Sequence, residues 1–442
     1  RNTEVCIADV RKLLASSEGH IESAEEQARR ERAREGAGGI VQYSCDAEVQ
    51  HVAFAVAGHL FVCDMQHANE IVIKSPASGT IYDARISPDG QHVAYVRDRS
   101  LYMCDLQGVE RCLASEESPD VTWGIAEFVA AEEMNRQRGF WWAPDSSALA
   151  VERADHSPIQ SISIADPAKP TSNPSSRRYP FAGTANALVS LHLVAINGNR
   201  TAVTWDSLAF EYLTSVQWNM HGLVISVMSR DQRLLDIRAV DISSGQTNSL
   251  HTEHDECWVE LVVGGPSLLE KDLLMWCGER NGVRAIVVNN DVITPPHLQV
   301  RSVVRASHDN IIFSANNVQR PQELHVFSVH ISGGEVTQLS DGIGIHSATV
   351  GGETTVLRSA TLETRRSRTL VNNHHQLANH AEEPLIGTNV SLHSVGPRGI
   401  ATAVVLPENH DGSMLPVLFD PYGGLDDLKN KVLRHVSPAF SE

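Results

Sequence analysis

The segment VAFAVAGHLFVCDM at 52–65 returns as VAYVRDRSLYMCDL at 93–106, with Cys63 and Cys104 in register and therefore 41 residues apart. Each copy reads as a strand, a tight turn, a second strand and an Asp. A period near forty residues with two strand-like runs per copy belongs to propeller blades. A propeller closes its strands into a ring and so protects edges that would otherwise pair with other chains. The segment before the second copy carries Ser87-Pro88-Asp89-Gly90, echoed by Ala143-Pro144-Asp145-Ser146. Pro presets φ and Asp-Gly accepts the tight bend, so both read as corners between strands.

Further blade-like units follow with looser spacing at 201–218, 223–245, 272–290, 310–334 and 354–371, and with the blade marked by the corner at 143–146 the count is about eight. Short apolar runs separated by Gly, Asp, Asn, Ser and Pro are the signature of an all-β region. Two flanks depart from it. Residues 18–35 mix Glu and Arg three or four apart and read as an exposed helix, ended by Gly36, Gly38 and Gly39. Near 389 the pattern changes to a strand pair, a polar loop and a buried strand through Val417, Leu418 and Phe419 running into Gly423-Gly424. This reads as the opening of an α/β domain. The expected organisation is a helical segment over 1–35, an all-β eight-bladed β-propeller over 36–388, and the incomplete start of an α/β-hydrolase domain over 389–442.

At 442 residues the chain is too long for one ordinary core, which suits a repeat architecture. The net charge of −18 opposes binding to nucleic acid phosphates and anionic lipid. No run approaches the roughly 18 apolar residues of a membrane span. Seven cysteines without a CxxC pair form neither a disulfide framework nor a zinc knuckle, which fits a reducing cytosol. The first residue is Arg and no apolar leader follows it, so an upstream signal peptide stays open.

The stretch WGIAEFVAAEEMNRQRGFWWAPDS (123–146) is a helix-compatible insert between the second and third blades, and it resembles the Glu-Glu insert of the dipeptidyl peptidase IV family, particularly of its bacterial members. YPFAGTANA (179–187), ECWVELV (256–262), GGEVTQLSDGIGIHSATV (333–350) and PVLFDPYGG (416–424) resemble the family in the same order. The resemblance covers roughly residues 27–424. It implies an eight-bladed propeller over an α/β-hydrolase domain, in a serine exopeptidase that releases N-terminal X-Pro or X-Ala dipeptides.

It places on Glu132 and Glu133 the binding of the substrate's free α-amine. Two adjacent carboxylates in a partly desolvated cavity suit an ammonium through charge-assisted hydrogen bonds, and would measure two residues from the N-terminus to the scissile bond. Tyr422 matches the family tyrosine whose hydroxyl helps form the oxyanion hole. The resemblance implies no cofactor and peptides with a free N-terminus as partners, and it leaves a homodimer open. It does not place the arginine that contacts the substrate carbonyl.

The family's catalytic Ser lies on a Gly-x-Ser-x-Gly elbow with downstream Asp and His. That elbow is absent from this sequence, and after Gly424 the residues LDDLKNKVLRHVSPAFSE leave the pattern, with Leu425 where the family usually has Pro. No catalytic role falls on His435 in that tail. The chain alone is therefore expected to be inactive, and a non-catalytic peptide- or protein-binding module is the competing reading. His251, His254, Asp255 and Cys257 lie close in sequence but lack HExxH or paired CxxC spacing, so a metal there is not favoured. His374, His375 and His380 read as a solvated loop. Trp123, Trp141 and Trp142 are left between lining a peptide cavity and packing beneath the insert.

Overall fold

Each copy of the 52–65 repeat is the central hairpin of a four-stranded antiparallel sheet in the computed structural model. It describes residues 4–14, 30, 39–67, 71–74, 81–168, 170–362, 364, 366–382 and 389–419. The helix expected over 18–35 and the segment 420–442, with Tyr422 and His435, lie outside these residues, Arg30 excepted.

In the first sheet His51–Val56 pairs with His59–Asp64 across Ala57-Gly58, whose φ angles of 49° and 72° are those of a hairpin turn matched to the strand twist. Val52 stands opposite Cys63, and in the second sheet Val93 stands opposite Cys104, so the sequence repeat is a repeat of register. Ser44–Cys45 and Ile71–Lys74 flank the first hairpin; Ile81–Ile86 and Glu110–Ala114 flank the second.

Both Pro-Asp corners form as expected. Gly90 N–H donates to the Ser87 carbonyl at 2.9 Å and Ser146 N–H to that of Ala143 at 3.0 Å. Gly90 and Ser146 both take positive φ, 73° and 63°. The corners also meet: Asp89 N–H donates to Ser146 Oγ at 3.0 Å, tying the second sheet to the third.

Four more sheets repeat the plan. Their central hairpins are Gly222–Met228 with Leu234–Val240, Leu273–Arg280 with Val283–Val288, Asn310–Asn317 with Arg320–His330, and Thr354–Thr361 with Arg368–Val371. These coincide with the units read at 223–245, 272–290, 310–334 and 354–371. The unit read at 201–218 does not: Arg200–Val203 closes the third sheet while Tyr212–Asn219 opens the fourth. Its spacing straddles a boundary, because apolar periodicity marks strands and not their pairing. The third sheet, expected after the insert, shows no close copy of the repeat because its central strands, Ala148–Asp155 and Leu188–Ala195, are separated by a small extra hairpin, Ser161–Ile164 with Ser175–Arg178. Seven such sheets stand among the described residues, the last two joined by one parallel bridge between Leu324 and Ile345.

The chain forms two compact units, one through Val259 and one from Glu260. In the first, consecutive sheets share cores: Val62, Ile73, Ile81 and Tyr95 between the first and second, Leu101, Trp123, Phe140 and Leu149 between the second and third, and Leu191, Val203, Leu213 and Ile225 between the third and fourth. In the second unit Met275, Ile286, Val300 and Phe313 join the fifth and sixth sheets. Residues buried on both faces explain why central strands read as continuous apolar runs rather than alternating ones. The strand pair expected near 389 is present as Asn389–Val395 with Ile400–Leu406. The buried strand expected at Val417–Phe419 is not: residues 413–419 are irregular and all three side chains are exposed, since no described element covers them.

Candidate functional site

The first strand of the third sheet is broken in two. Val121–Trp123 and Phe140–Trp142 both pair with Ala148–Asp155, through Arg153 opposite Trp123 and Val151 opposite Phe140. Residues 124–139 leave and return through this gap, so the insert interrupts a strand of the third sheet rather than linking two sheets. Its neck is closed by an antiparallel bridge between Ile125 and Arg138 and by contact between Gly124 and Gly139.

The insert carries the helix Phe128–Glu133. Glu127 starts it: its carboxylate accepts from Val129 N–H at 2.7 Å and Ala130 N–H at 2.6 Å, satisfying two donors that have no partner within the helix. At the far end Asn135 turns with φ 52°, Arg136 N–H donates to the Ala130 carbonyl at 3.0 Å, and Gln137 Nε2 donates to that of Ala131 at 2.7 Å. Ala130, Ala131 and Met134 form the buried face, which leaves Glu132 and Glu133 exposed side by side on the last turn. That turn holds no basic residue. Two carboxylates beside the negative end of a helix favour a cation.

Beneath the helix lies a buried charge network that the sequence reading did not single out. Glu152, in the middle of the strand Ala148–Asp155, accepts Glu127 N–H at 2.9 Å and is ion-paired with Arg136. Arg136 donates further to the carbonyls of Leu213 at 3.0 Å and Arg138 at 2.8 Å. Glu152 therefore holds the insert at both ends of its helix. Burial pushes the Glu152 carboxyl up to about 7, with Arg136 opposing and Glu127 adding to the rise. Arg138 is held down at about 9, chiefly by burial and then by the neighbouring Arg85 cation. Arg85 pairs with Asp83 at 2.7 Å, and its carbonyl accepts from Trp142 Nε1 at 3.0 Å. The signal available in the sequence was a Glu inside the apolar run ALAVERAD.

Trp123, Trp141 and Trp142 are all buried in the cores on either side of the third sheet, so packing is their role. The His251 group does not converge: His251 Nε2 lies 2.9 Å from Glu253 Oε2, while Asp255 caps a turn by accepting from Cys257 N–H at 2.7 Å. Among the described residues no three metal-ligating side chains gather, and no helix is long and apolar enough to cross a membrane. His374 and His375 lie in and beside the turn after Arg368–Val371. Gly265-Pro266-Ser267 has a Ser two positions after a Gly, but Leu269 stands where an elbow needs its second Gly, and Ser267 begins the ordinary strand Ser267–Glu270.

Mouse dipeptidyl peptidase 8 is 32% identical over 93 residues, covering 19% of this chain and 10% of that protein. The crystal structure of Porphyromonas gingivalis dipeptidyl peptidase 4 superposes with a TM-score of 0.65 at 17% identity, over 85% of this chain and 58% of that one. The chain thus spans only part of the length of these peptidases. A short second relationship is of another kind: a multifunctional CCA protein of Tolumonas auensis is 54% identical over 41 residues, 9% of each. It bears on too little of the chain to inform the sheets. Residues 40–360 match the family described as Dipeptidyl peptidase IV (DPP IV) N-terminal region, and over that span the chain belongs to this family.

Proposed function

We propose that the chain is the propeller part of a dipeptidyl peptidase IV-like serine exopeptidase that releases X-Pro or X-Ala dipeptides, with Glu132 and Glu133 holding the α-ammonium of the peptide. Eight blades, a hydrolase domain beginning near 389, and an oxyanion role for Tyr422 belong to the same reading and come from the family resemblance. The observation that carries it is the placement of Glu132 and Glu133: adjacent, exposed, and on a short helix anchored to the third sheet by Glu152. An anchored carboxylate pair loses little freedom on binding an ammonium, and so can set a fixed distance to the bond to be cut.

A second reading is a peptide-binding module without catalysis, which needs only the exposed Glu132-Glu133 pair on its anchored helix. One experiment separates them. The purified chain is given a Gly-Pro chromogenic amide, and binding of a Gly-Pro tripeptide is followed by calorimetry, with the Glu132→Ala/Glu133→Ala variant beside it. Binding without turnover, weakened at least about tenfold in the variant as charge-assisted hydrogen bonds are lost, is the expected result. Turnover that the variant loses would place a nucleophile within the chain. Equal binding of the N-acetylated peptide would overturn the amine assignment.

A further inference from the structure

We propose that His325 and His346 form an acid-sensitive latch between the sixth and seventh sheets: uncharged, the two rings hold the sheets together, and in mild acid their protonation parts the sheets and frees the seventh.

Leu324 opposite Ile345 is the one backbone bridge between these sheets among the described residues. The next residue on each strand is a histidine, and the two imidazoles stack across the joint with ring centroids 4.9 Å apart and planes 21° from parallel. Both are buried, His325 being 7% and His346 0% exposed. A second tie lies at the turn between Gly344–Gly351 and Thr354–Thr361, where the Gly352 carbonyl accepts from Arg305 Nη1 at 2.6 Å. An arginine keeps its charge throughout the neutral and mildly acidic range, so that tie does not respond to pH.

The hydrogen bonds around both rings fit their neutral forms. His325 Nε2 donates to Glu323 Oε2 at 3.2 Å, and its Nδ1 faces two donors, Ser340 Oγ at 3.0 Å and Gln338 Nε2 at 3.3 Å. The Ser340 carbonyl accepts from Gln338 Nε2 at 2.7 Å, which fixes that nitrogen as a donor. Ser340 Oγ accepts Val326 N–H at 3.1 Å and so has its proton free for the imidazole. A second proton on His325 would point at the Gln338 amide. His346 Nε2 donates to the Gly342 carbonyl at 3.3 Å, which leaves Nδ1 to accept from the Ser359 hydroxyl at 2.8 Å.

Two carboxylates act on the pair: Glu323, 3.8 Å from Arg320, and Asp341, in the loop before the seventh sheet. Arg358, beside Ser359, donates instead to Ser367 Oγ at 3.2 Å. Burial and then the facing His325 outweigh both carboxylates and hold His346 below its ordinary 6.5. Parting the sheets restores the ordinary value, so the open form takes up the proton first as pH falls. The latch is fully closed above about 6.5 and weakens as pH drops through the closed-state value. Two imidazolium rings stacked where water is scarce repel strongly, and the joint between the sheets is the contact that gives way.

The test is amide hydrogen exchange of the whole chain at pH 7.5 and 5.5, followed by mass spectrometry and corrected for the intrinsic effect of pH. Residues 344–361 of the seventh sheet are compared with the strand Leu273–Arg280 of the fifth. The wild type is expected to lose protection about tenfold at 344–361 on acidification and to keep it in the fifth sheet. His346→Gln keeps a donor for Gly342 and an acceptor for Ser359 without a titrating group, and His346→Phe keeps a stacked ring. In both, the acid-induced loss should vanish while protection at pH 7.5 stays near that of the wild type. No loss in the wild type, equal loss in the two sheets, or a selective loss that survives in both variants overturns the latch. So does a seventh sheet already unprotected at pH 7.5 in both variants, since the joint would then depend on the packing of the imidazole and not on its charge.

Discussion

The guanidinium of Arg136 rests against the carboxylate of Glu152 where neither meets solvent, Arg136 being 7% and Glu152 0% exposed. Because Glu152 also accepts the Glu127 N–H, this pair carries the positioning of the helix that displays Glu132 and Glu133. Removing one partner leaves the other charge buried and uncompensated. Arg136→Leu should cost about 3–5 kcal/mol of stability. Chemical denaturation checks this. Replacing both by apolar residues together should cost much less, which would separate the penalty of the orphaned charge from loss of the pair.

Gly139 is demanded by space rather than by its backbone angle. A Cβ there would fall inside the Gly124–Ile125 peptide, the opposite side of the insert's neck. Gly139→Ala should therefore force the neck apart and destabilise by roughly 1–3 kcal/mol, as overpacking does. A thermal melt would show it, and an unchanged midpoint would mean that the two arms are not in contact.

In the second unit His346 is stacked on His325 with ring centroids 4.9 Å apart, and its Nδ1 faces Ser359 Oγ at 2.8 Å. Burial first, and then the neighbouring His325, hold the His346 imidazole below its ordinary 6.5, against the opposing pull of Asp341 and Glu323. With the folded-state value depressed, the unfolded chain takes up the proton first as pH falls. The contribution to stability is thus complete above about 6.5 and is lost as pH falls through the folded value. Urea unfolding at pH 7.5 and 5.5 should show a loss on acidification that is smaller in His346→Asn. An equal loss in both would assign the effect to other groups.

Val417, Leu418 and Phe419 are 87%, 93% and 80% exposed, three consecutive apolar side chains that no described residue covers. Such a run promotes association. The chain is expected to self-associate in light scattering, and Leu418→Ser/Phe419→Ser to reduce this. A monodisperse monomer, unchanged on deleting 389–442, would refute it.

The sequence by itself determined the elements whose causes are local. Alternating strand, turn and strand at 52–65 and 93–106 specify hairpins, because a Gly or Asp able to take positive φ sits between two apolar runs. The Pro-Asp corners were legible for the same reason. The Glu132-Glu133 pair and its helix were legible through family resemblance, although the carboxylates alone would pass for any solvated face. Tertiary structure decided what depends on partners far along the chain. Only long-range register shows that Trp123 and Phe140 share one partner strand, which puts the insert inside a sheet and splits 201–218 between two. Only packing shows that Glu152 is sealed against Arg136, and that Tyr179 reaches Phe128 from 51 residues along the chain. A charge or a ring has the same local signature whether water or another side chain will cover it, and burial is settled only when distant strands pair.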